Sequence, residues 1–221
     1  MALKKYDLHI HSHYSPCSII TPKEILRRAK KAGLDGIAIT DHETMRAYPV
    51  LKKLNKDKYF EVIPGEEMRT QYGDVIGLYL KKEIKSRDFF TVIREIKHQG
   101  GLIIIPHPIT YVRFMSMQYP FNKLRSIVDA IETINSRNTC KLNSAARHAA
   151  EKYGFAQTGG SDAHIPQDIG RGYTVFTGSL RDALRKRKTE TKGSTRYAFI
   201  SLGISIFVEY FIDPITKHWR K

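Results

Sequence analysis

GLIIIPHP, residues 101–108, is an uninterrupted apolar run that ends on a histidine. A continuous aliphatic stretch of this length suits a strand buried on both faces, as in the parallel sheets of α/β proteins. Working outward, the same arrangement recurs. A strand predicted over residues 5–10 runs into DLHIHSHYSPCS (7–18), with His9 and His11 two apart and therefore on one face. GIAIT (36–40) is followed by Asp41 and His42, and EVIPGEE (61–67) ends on Glu66 and Glu67. Asp74 opens the strand DVIGLYL (74–80), Asn135 closes DAIETIN (129–135), and FAQTGGSDAH (155–164) carries Asp162 and His164. GYTVF (172–176) is the last of the series.

Helices are predicted between these strands. Thr21 is the N-cap and Pro22 the first residue of a helix that stops at Gly33. Others are expected over 43–55, 87–98 and about 138–153. Strands alternating with helices give a parallel sheet or barrel. In a barrel, residues at successive strand ends converge on one face. Five histidines and three acids gathered there without a cation would be costly buried polarity. Mixed nitrogen and oxygen donors of this kind suit zinc, manganese or iron.

The bulk properties narrow the field. A chain of 221 residues with 41% hydrophobic and 27% charged residues is long enough for one well-buried domain and is not a disordered composition. Two cysteines, Cys17 and Cys140, cannot build a disulfide framework, and MALKKYDLHI has no apolar core of signal-peptide length. A cytoplasmic protein is therefore expected. The net charge of +15 favours acidic partners: phosphorylated small molecules, nucleic acid or an anionic membrane surface.

DLHIHSHYS, AITDHET, IPGEEM, IPHP and GSDAH, in this order, resemble the PHP (polymerase and histidinol phosphatase) superfamily over about residues 5–176. The resemblance implies an α/β fold, a distorted (β/α)7 TIM-like barrel over 1–177, with 178–221 as a C-terminal extension. It also implies two or three divalent ions (Zn2+, Mn2+ or Fe2+) and hydrolysis of phosphate esters. Matched residue by residue, His9, His11 and Asp162 belong to a first metal. Glu67 bridges to a second that His107 also binds. Asp74 stands where many relatives have a histidine, and is included as a ligand. His42 and His164 match a third metal, to which Cys17 corresponds best as a further ligand; the alternative is a buried, inert cysteine. Glu66 then occupies a variable position, solvated or behind the ligands.

The reaction the resemblance implies is attack on phosphorus by a hydroxide bridging two metals, with Asp162, Glu67 and His164 as catalytic candidates. Arg137 in INSRN and Arg171 in GRGYT are candidate phosphate clamps, since guanidinium matches phosphate oxygens bidentately; Asn135 is a further candidate contact. The expected substrate is a small phosphorylated molecule, a nucleotide being the leading choice. An exonuclease on short oligonucleotides is the nearest alternative, and a non-catalytic module binding nucleic acid or a partner is the other. The loop 108–120 (PITYVRFMSMQYP) reads as a lid, a base-stacking wall or a packed loop.

Beyond residue 177 the character changes. SLRDALRKRK reads as a basic helix and ETKGST as a polar linker. Residues 197–212 are almost entirely apolar, with Ser201, Ser205 and Glu209 four apart on one helical stripe. At this length the segment is short for a membrane span. It suits a helix docked on the barrel or a second copy, or one lying in a membrane interface; 197–221 is thus a candidate for homo-oligomer or peripheral membrane contact.

Overall fold

The computed structural model describes residues 2–196, 203, 204 and 206–212. Nine strands form one sheet: β1 (Leu3–Asp7), β2 (Gly36–Ile39), β3 (Glu61–Thr70), β4 (Gly73–Leu78), β5 (Leu102–Ile105), β6 (Ala130–Asn135), β7 (Ala156–Gly160), β8 (Gly172–Thr177) and β9 (Glu190–Gly193). Their order is β7-β6-β5-β4-β3-β2-β1-β8-β9. The β1–β2–β3 and β5–β6–β7 runs are parallel, while β4 is antiparallel to both neighbours and β8 to β1 and β9. The sheet curls so that β7 meets β1 and β8. Asp162 donates its N–H to His9 O at 2.8 Å and His11 to Ala163 O at 3.0 Å. Gly159 N donates to the Thr174 hydroxyl at 2.8 Å. The result is the nearly closed, TIM-like barrel expected from the sequence.

Side-chain alternation divides the core between the inside and the outside of this barrel. On β5, Leu102 and Ile104 face inward with Ile63, Leu78, Ala130 and Phe176. Ile103 and Ile105 point outward to α3 (Phe89–His98) and α5 (Cys140–Tyr153), against Phe89, Ile96 and Ala150. The run GLIII is apolar because both its faces are covered. Ile37 and Ile39 of β2 pack on Ile25, Ala29 and Leu51 of α1 (Pro22–Lys31) and α2 (Ala47–Leu54). Two short helices, α4 (Phe121–Leu124) and α6 (Leu180–Arg185), also lie among the described residues.

The helix ends follow local chemistry. The Thr21 hydroxyl accepts Glu24 N, the Asp88 carboxylate accepts Thr91 N, and the Thr139 hydroxyl accepts Leu142 N. Helix α5 stops at Gly154, whose φ of 72° is the left-handed conformation glycine adopts without penalty. Helix α2 begins at Ala47, four residues later than the spacing predicts, because Glu43 and Thr44 belong to the turn carrying His42.

Two expectations change. EVIPGEE and DVIGLYL are not successive parallel strands but a hairpin, Glu67 opposite Ile76 and Arg69 opposite Asp74, with the turn at Gly73. ETKGST is not a linker: β9 pairs with β8, Tyr173 opposite Lys192. Its side chains are mostly exposed, so it carries no apolar pattern. The expected apolar helix over 197–212 and the contacts through 197–221 lie largely outside the described residues. Within them, Val208–Ile212 is a π-helical turn with Tyr210 and Phe211 exposed and Val208 buried. No described helix is long and apolar enough to cross a membrane.

Candidate metal centre

The residues singled out at the strand ends come together at one end of the barrel. Parallel pairing continues past the regular strands at two points, His42 beside Glu67 and Ile10 beside Ala163. These carry the ITDHE and GSDAH loops over the ends of β3 and β1. Glu67 is the meeting point. Its Oε2 lies 3.3 Å from His9 Nε2, 3.2 Å from His11 Nε2 and 3.3 Å from His42 Nδ1, and its Oε1 lies 3.1 Å from His107 Nε2. Asp162 Oδ1 reaches His9 Nε2 at 3.6 Å, His11 Nε2 at 3.4 Å and His164 Nδ1 at 3.4 Å. Among the described residues, four groups place one donor atom from each member within 4.8 Å of the others: His9–His11–Glu67, His9–His107–Asp162, Glu67–Asp74–His107 and His11–His42–His164.

The surroundings specify how these donors point. The Nδ1 of His9 faces Glu132 Oε1 at 3.2 Å, which fixes the ring with Nε2 turned toward Glu67 and Asp162. His9 Nε2 and His11 Nε2 are only 3.0 Å apart. Two lone pairs and two carboxylate oxygens at this spacing repel unless a cation or protons lie between them. Asp74 Oδ2 and His107 Nδ1 are buried without a hydrogen-bond partner, and Asp74 Oδ2 lies 4.0 Å from His107 Nε2. The donor set, three carboxylates and five imidazoles, fits divalent ions of the zinc–manganese–iron kind.

Electrostatics give the same reading. Burial alone would lower the pKa of His9, His11 and His107, but the carboxylates around them reverse it. His9 is held well above its ordinary value and His107 is pushed up to about 9, chiefly by Glu67 in the latter case. Glu67 and Asp162 sit well below the usual carboxylate range: burial opposes ionisation, and His9 together with the other histidines, and Arg137 beside Asp162, outweigh it. The carboxylates thus demand positive charge in their midst, which a metal supplies in place of protons. His42 is lowered to about 3 by burial, and His164 is lowered by burial and the Arg137 guanidinium. Both are neutral imidazoles, the ligating form.

Two ligand candidates sit on strained backbone. His107 has φ 27° and Asp162 φ 53°, in the left-handed region where a residue with a Cβ costs about 1–3 kcal/mol. Both are pinned: Glu132 Oε2 accepts His107 N at 2.8 Å, and His9 O accepts Asp162 N.

Of the expected site residues, Cys17 stands apart from the groups. It is buried on the loop after β1 and belongs to none of the four, and His11 takes the place beside His42 and His164. Arg137 lies at the centre, its Nη1 3.5 Å from Asp162 Oδ1 and 2.8 Å from His164 Nδ1. Arg171 is on the stretch leading into β8, its Nε donating to Gln167 O at 2.7 Å. Asn135 is buried behind Asp162. Its Nδ2 donates to Glu132 Oε2 at 2.9 Å and to Asp162 Oδ2 at 3.3 Å, and its Oδ1 accepts Arg137 N. Glu66 is fully buried rather than solvated; it accepts Ile84 N at 2.6 Å, and burial pushes it up to about 7.

Three carboxylates that support the centre were not singled out by the motifs. Glu132 is one. Asp41 accepts from Ser12 and Ser15, and the Ser15 hydroxyl lies 3.3 Å from His11 Nδ1. Asp7 accepts Ser161 N and Gly170 N, tying β1 to the GSDAH loop. The available signal was an acid inside or beside an apolar strand, in DAIETIN, ITDHE and KKYDLHI. Gly160 is required by space: a Cβ there would lie 2.4 Å from His9 Cβ and 2.7 Å from Glu132 Oε1.

Comparison with known proteins agrees with this geometry. A model of the PHP-associated family matches residues 141–189. An uncharacterised protein of Methanocaldococcus jannaschii is 38% identical over 182 residues, covering 78% of this chain and 70% of that one. A 5′-3′ exoribonuclease of Haemophilus influenzae is 35% identical over 83 residues, 36% of this chain and 30% of its own. Among solved structures, a two-domain protein of Bacteroides vulgatus containing a predicted PHP-like metal-dependent phosphoesterase superposes with a TM-score of 0.76. It is 20% identical, covering 87% of this chain and 65% of that one, and so shares the fold. With five imidazoles and three carboxylates gathered at the ends of barrel strands, and relatives of this kind, the chain belongs to the PHP superfamily.

Proposed function

We propose that the protein is a metal-dependent phosphoesterase acting on a small phosphorylated substrate, a nucleotide being the leading choice. The observation that carries this reading is the convergence of four imidazoles, His9, His11, His42 and His107, on the single carboxylate Glu67. His9, His11, Glu67 and Asp162 would hold one divalent ion, Glu67, Asp74 and His107 a second, and His11, His42 and His164 a third. Bound there, such ions supply a nucleophilic water near neutral pH and neutralise charge on phosphate oxygens.

The chain's own residues do the rest. The Arg137 guanidinium, beside Asp162 and His164, meets a phosphate oxygen at the edge of the centre. Asp162, ionised and held at Oδ2 by Asn135, keeps Oδ1 turned toward His9 and His11. Glu132 keeps the His9 ring turned so that Nε2 faces inward.

A second reading is favoured by the similarity to the Haemophilus influenzae exoribonuclease: the substrate is the end of a short oligonucleotide and the bond broken a phosphodiester. One experiment addresses both. The protein is reloaded with manganese, zinc or iron, its metal content is measured by elemental mass spectrometry, and release of nucleotide from a 5′-phosphorylated pentanucleotide and of phosphate from mononucleotides is followed. Two or three metals per chain with metal-dependent release is the expected result. No bound metal under any loading overturns the reading.

A further inference from the structure

The loop 108–120, which leaves β5 directly after His107, is tied to itself and to its neighbours by hydrogen bonds. Ser116 Oγ accepts Thr110 N at 2.9 Å and donates to Thr110 O at 3.0 Å, closing the loop on itself. Met117 N donates to Pro108 O, and Gln118 N to Tyr72 O at 2.7 Å. The Gln118 amide donates to Arg113 O and Ser116 O, and Asn138 Nδ2 donates to Ile109 O. Met117 is buried beneath.

From this loop two aromatic rings stand in solvent, Tyr111 at 68% and Phe114 at 61% exposure. Lone exposed apolar residues are ordinary. These two differ in being positioned. Tyr111 is tethered at its edge, the hydroxyl 3.4 Å from Thr139 Oγ1, two residues from the Arg137 that reaches Asp162. Phe114 carries the Arg69 guanidinium 5.2 Å from its ring centre, and Arg69 Nε lies 3.4 Å from Asp74 Oδ1. Each ring is therefore fixed through one edge or face, with the remainder open. Tyr111 is thus linked to the segment that carries Arg137, and Phe114 through Arg69 to Asp74.

Open aromatic faces beside guanidinium groups bind the π-faces of unpaired bases, while the cations attract the backbone. We propose that Tyr111 and the Arg69–Phe114 pair are a stacking platform for bases of a single-stranded oligonucleotide whose phosphate enters the metal centre. This rests on the second functional reading above. The loop is then neither a lid nor mere packing: its hydrogen bonds set the base positions in advance, which reduces the entropy lost on binding.

The test separates base stacking from hydrolysis. Binding of a fluorescein-labelled, 5′-phosphorylated pentanucleotide with hydrolysis-resistant phosphorothioate linkages is measured by anisotropy with the metal-loaded protein, beside the same pentamer made abasic. The expected result is tighter binding of the base-bearing pentamer by the wild type. Tyr111→Ala and Phe114→Ala each weaken it by about 5- to 150-fold, the range for loss of one stacked base. Neither variant alters binding of the abasic strand, and Tyr111→Phe and Phe114→Tyr, which keep the ring, bind as the wild type does. Equal affinity of the wild type for the two strands, absence of binding to both, or alanine variants that bind as the wild type does each overturn the proposal. Base-dependent binding without hydrolysis of the unmodified pentamer by the reloaded protein would remove the enzymatic reading and leave the platform; hydrolysis indifferent to bases would do the reverse.

Discussion

Glu132 holds His9 with one oxygen and His107 with the other: Oε1 lies 3.2 Å from His9 Nδ1, and Oε2 accepts the backbone N–H of His107 at 2.8 Å. The same Oε2 accepts from Asn135, whose amide also reaches Asp162. One buried carboxylate thus fixes a ring orientation, a strained backbone and, through Asn135, a second carboxylate.

Glu132→Gln removes the charge and leaves the size. A glutamine can turn only one oxygen to these partners, so the His9 ring loses its anchor. Metal affinity is expected to fall by about 10- to 100-fold, the usual effect of disturbing a group behind a ligand. Titration calorimetry with manganese or zinc checks this, and unchanged affinity would show that Glu132 only fills space.

Glu67→Gln addresses the convergence itself. Four imidazoles face this carboxylate, so neutralising it is expected to remove at least one metal per chain in elemental analysis. Activity should fall by about a hundredfold or more, the scale seen when a group facing developing charge is lost. A variant that retains the full metal content would refute the bridging role.

Cys17 and His11 make a contrasting pair. Cys17 lies outside the four donor groups, whereas His11 belongs to two. Cys17→Ala should keep the wild-type metal content, and His11→Ala should lower it. The opposite pattern would return the thiol to the centre.

Acid stability is tied to Glu83. Its carboxylate accepts from the Thr44 hydroxyl at 2.8 Å and from Met45 N at 3.0 Å and pairs with Lys85, joining the turn after His42 to the loop after β4. The Lys85 contact, then the Met45 N–H, lowers its pKa from 4.5 to about 2. Because the folded-state value is depressed, its contribution is complete above about pH 4.5 and is lost as pH falls toward 2. The melting temperature of Glu83→Gln should lie below that of the wild type at pH 7, by about 2–4 °C for each 1 kcal/mol lost. The gap should close between pH 4.5 and about 2. A gap independent of pH would mean that the charge is not responsible.

The ligand candidates were legible because each follows a run whose apolar pattern fixes where a strand ends, and a barrel gathers strand ends on one face. Glu67 could be preferred to Glu66 only through the family pattern; the structure shows Glu66 turned to Ile84 N. Glu132 escaped notice because strand alternation puts residues 132 and 135 on opposite faces. A register shift between Glu132 and Ile134 breaks that alternation and brings Asn135 round to Glu132. Strand β9 escaped because an exposed edge strand such as ETKG needs no apolar residue to pair. The place of Cys17 was illegible for another reason: the path of an irregular loop is set by hydrogen bonds such as His13 N to Ile20 O, which no periodicity records.

The glycine at 160 carries a further consequence. His9 and Glu132 meet over its Cα at a separation that the smallest side chain would already violate. The wall of the centre is therefore a mould whose shape is set by missing atoms, and alanine, the usual neutral probe, acts there as a wedge. Gly160→Ala should disturb the His9–Glu132 pair without removing a single polar group, so a mutational survey by residue chemistry alone would pass over one of the most sensitive positions in the chain.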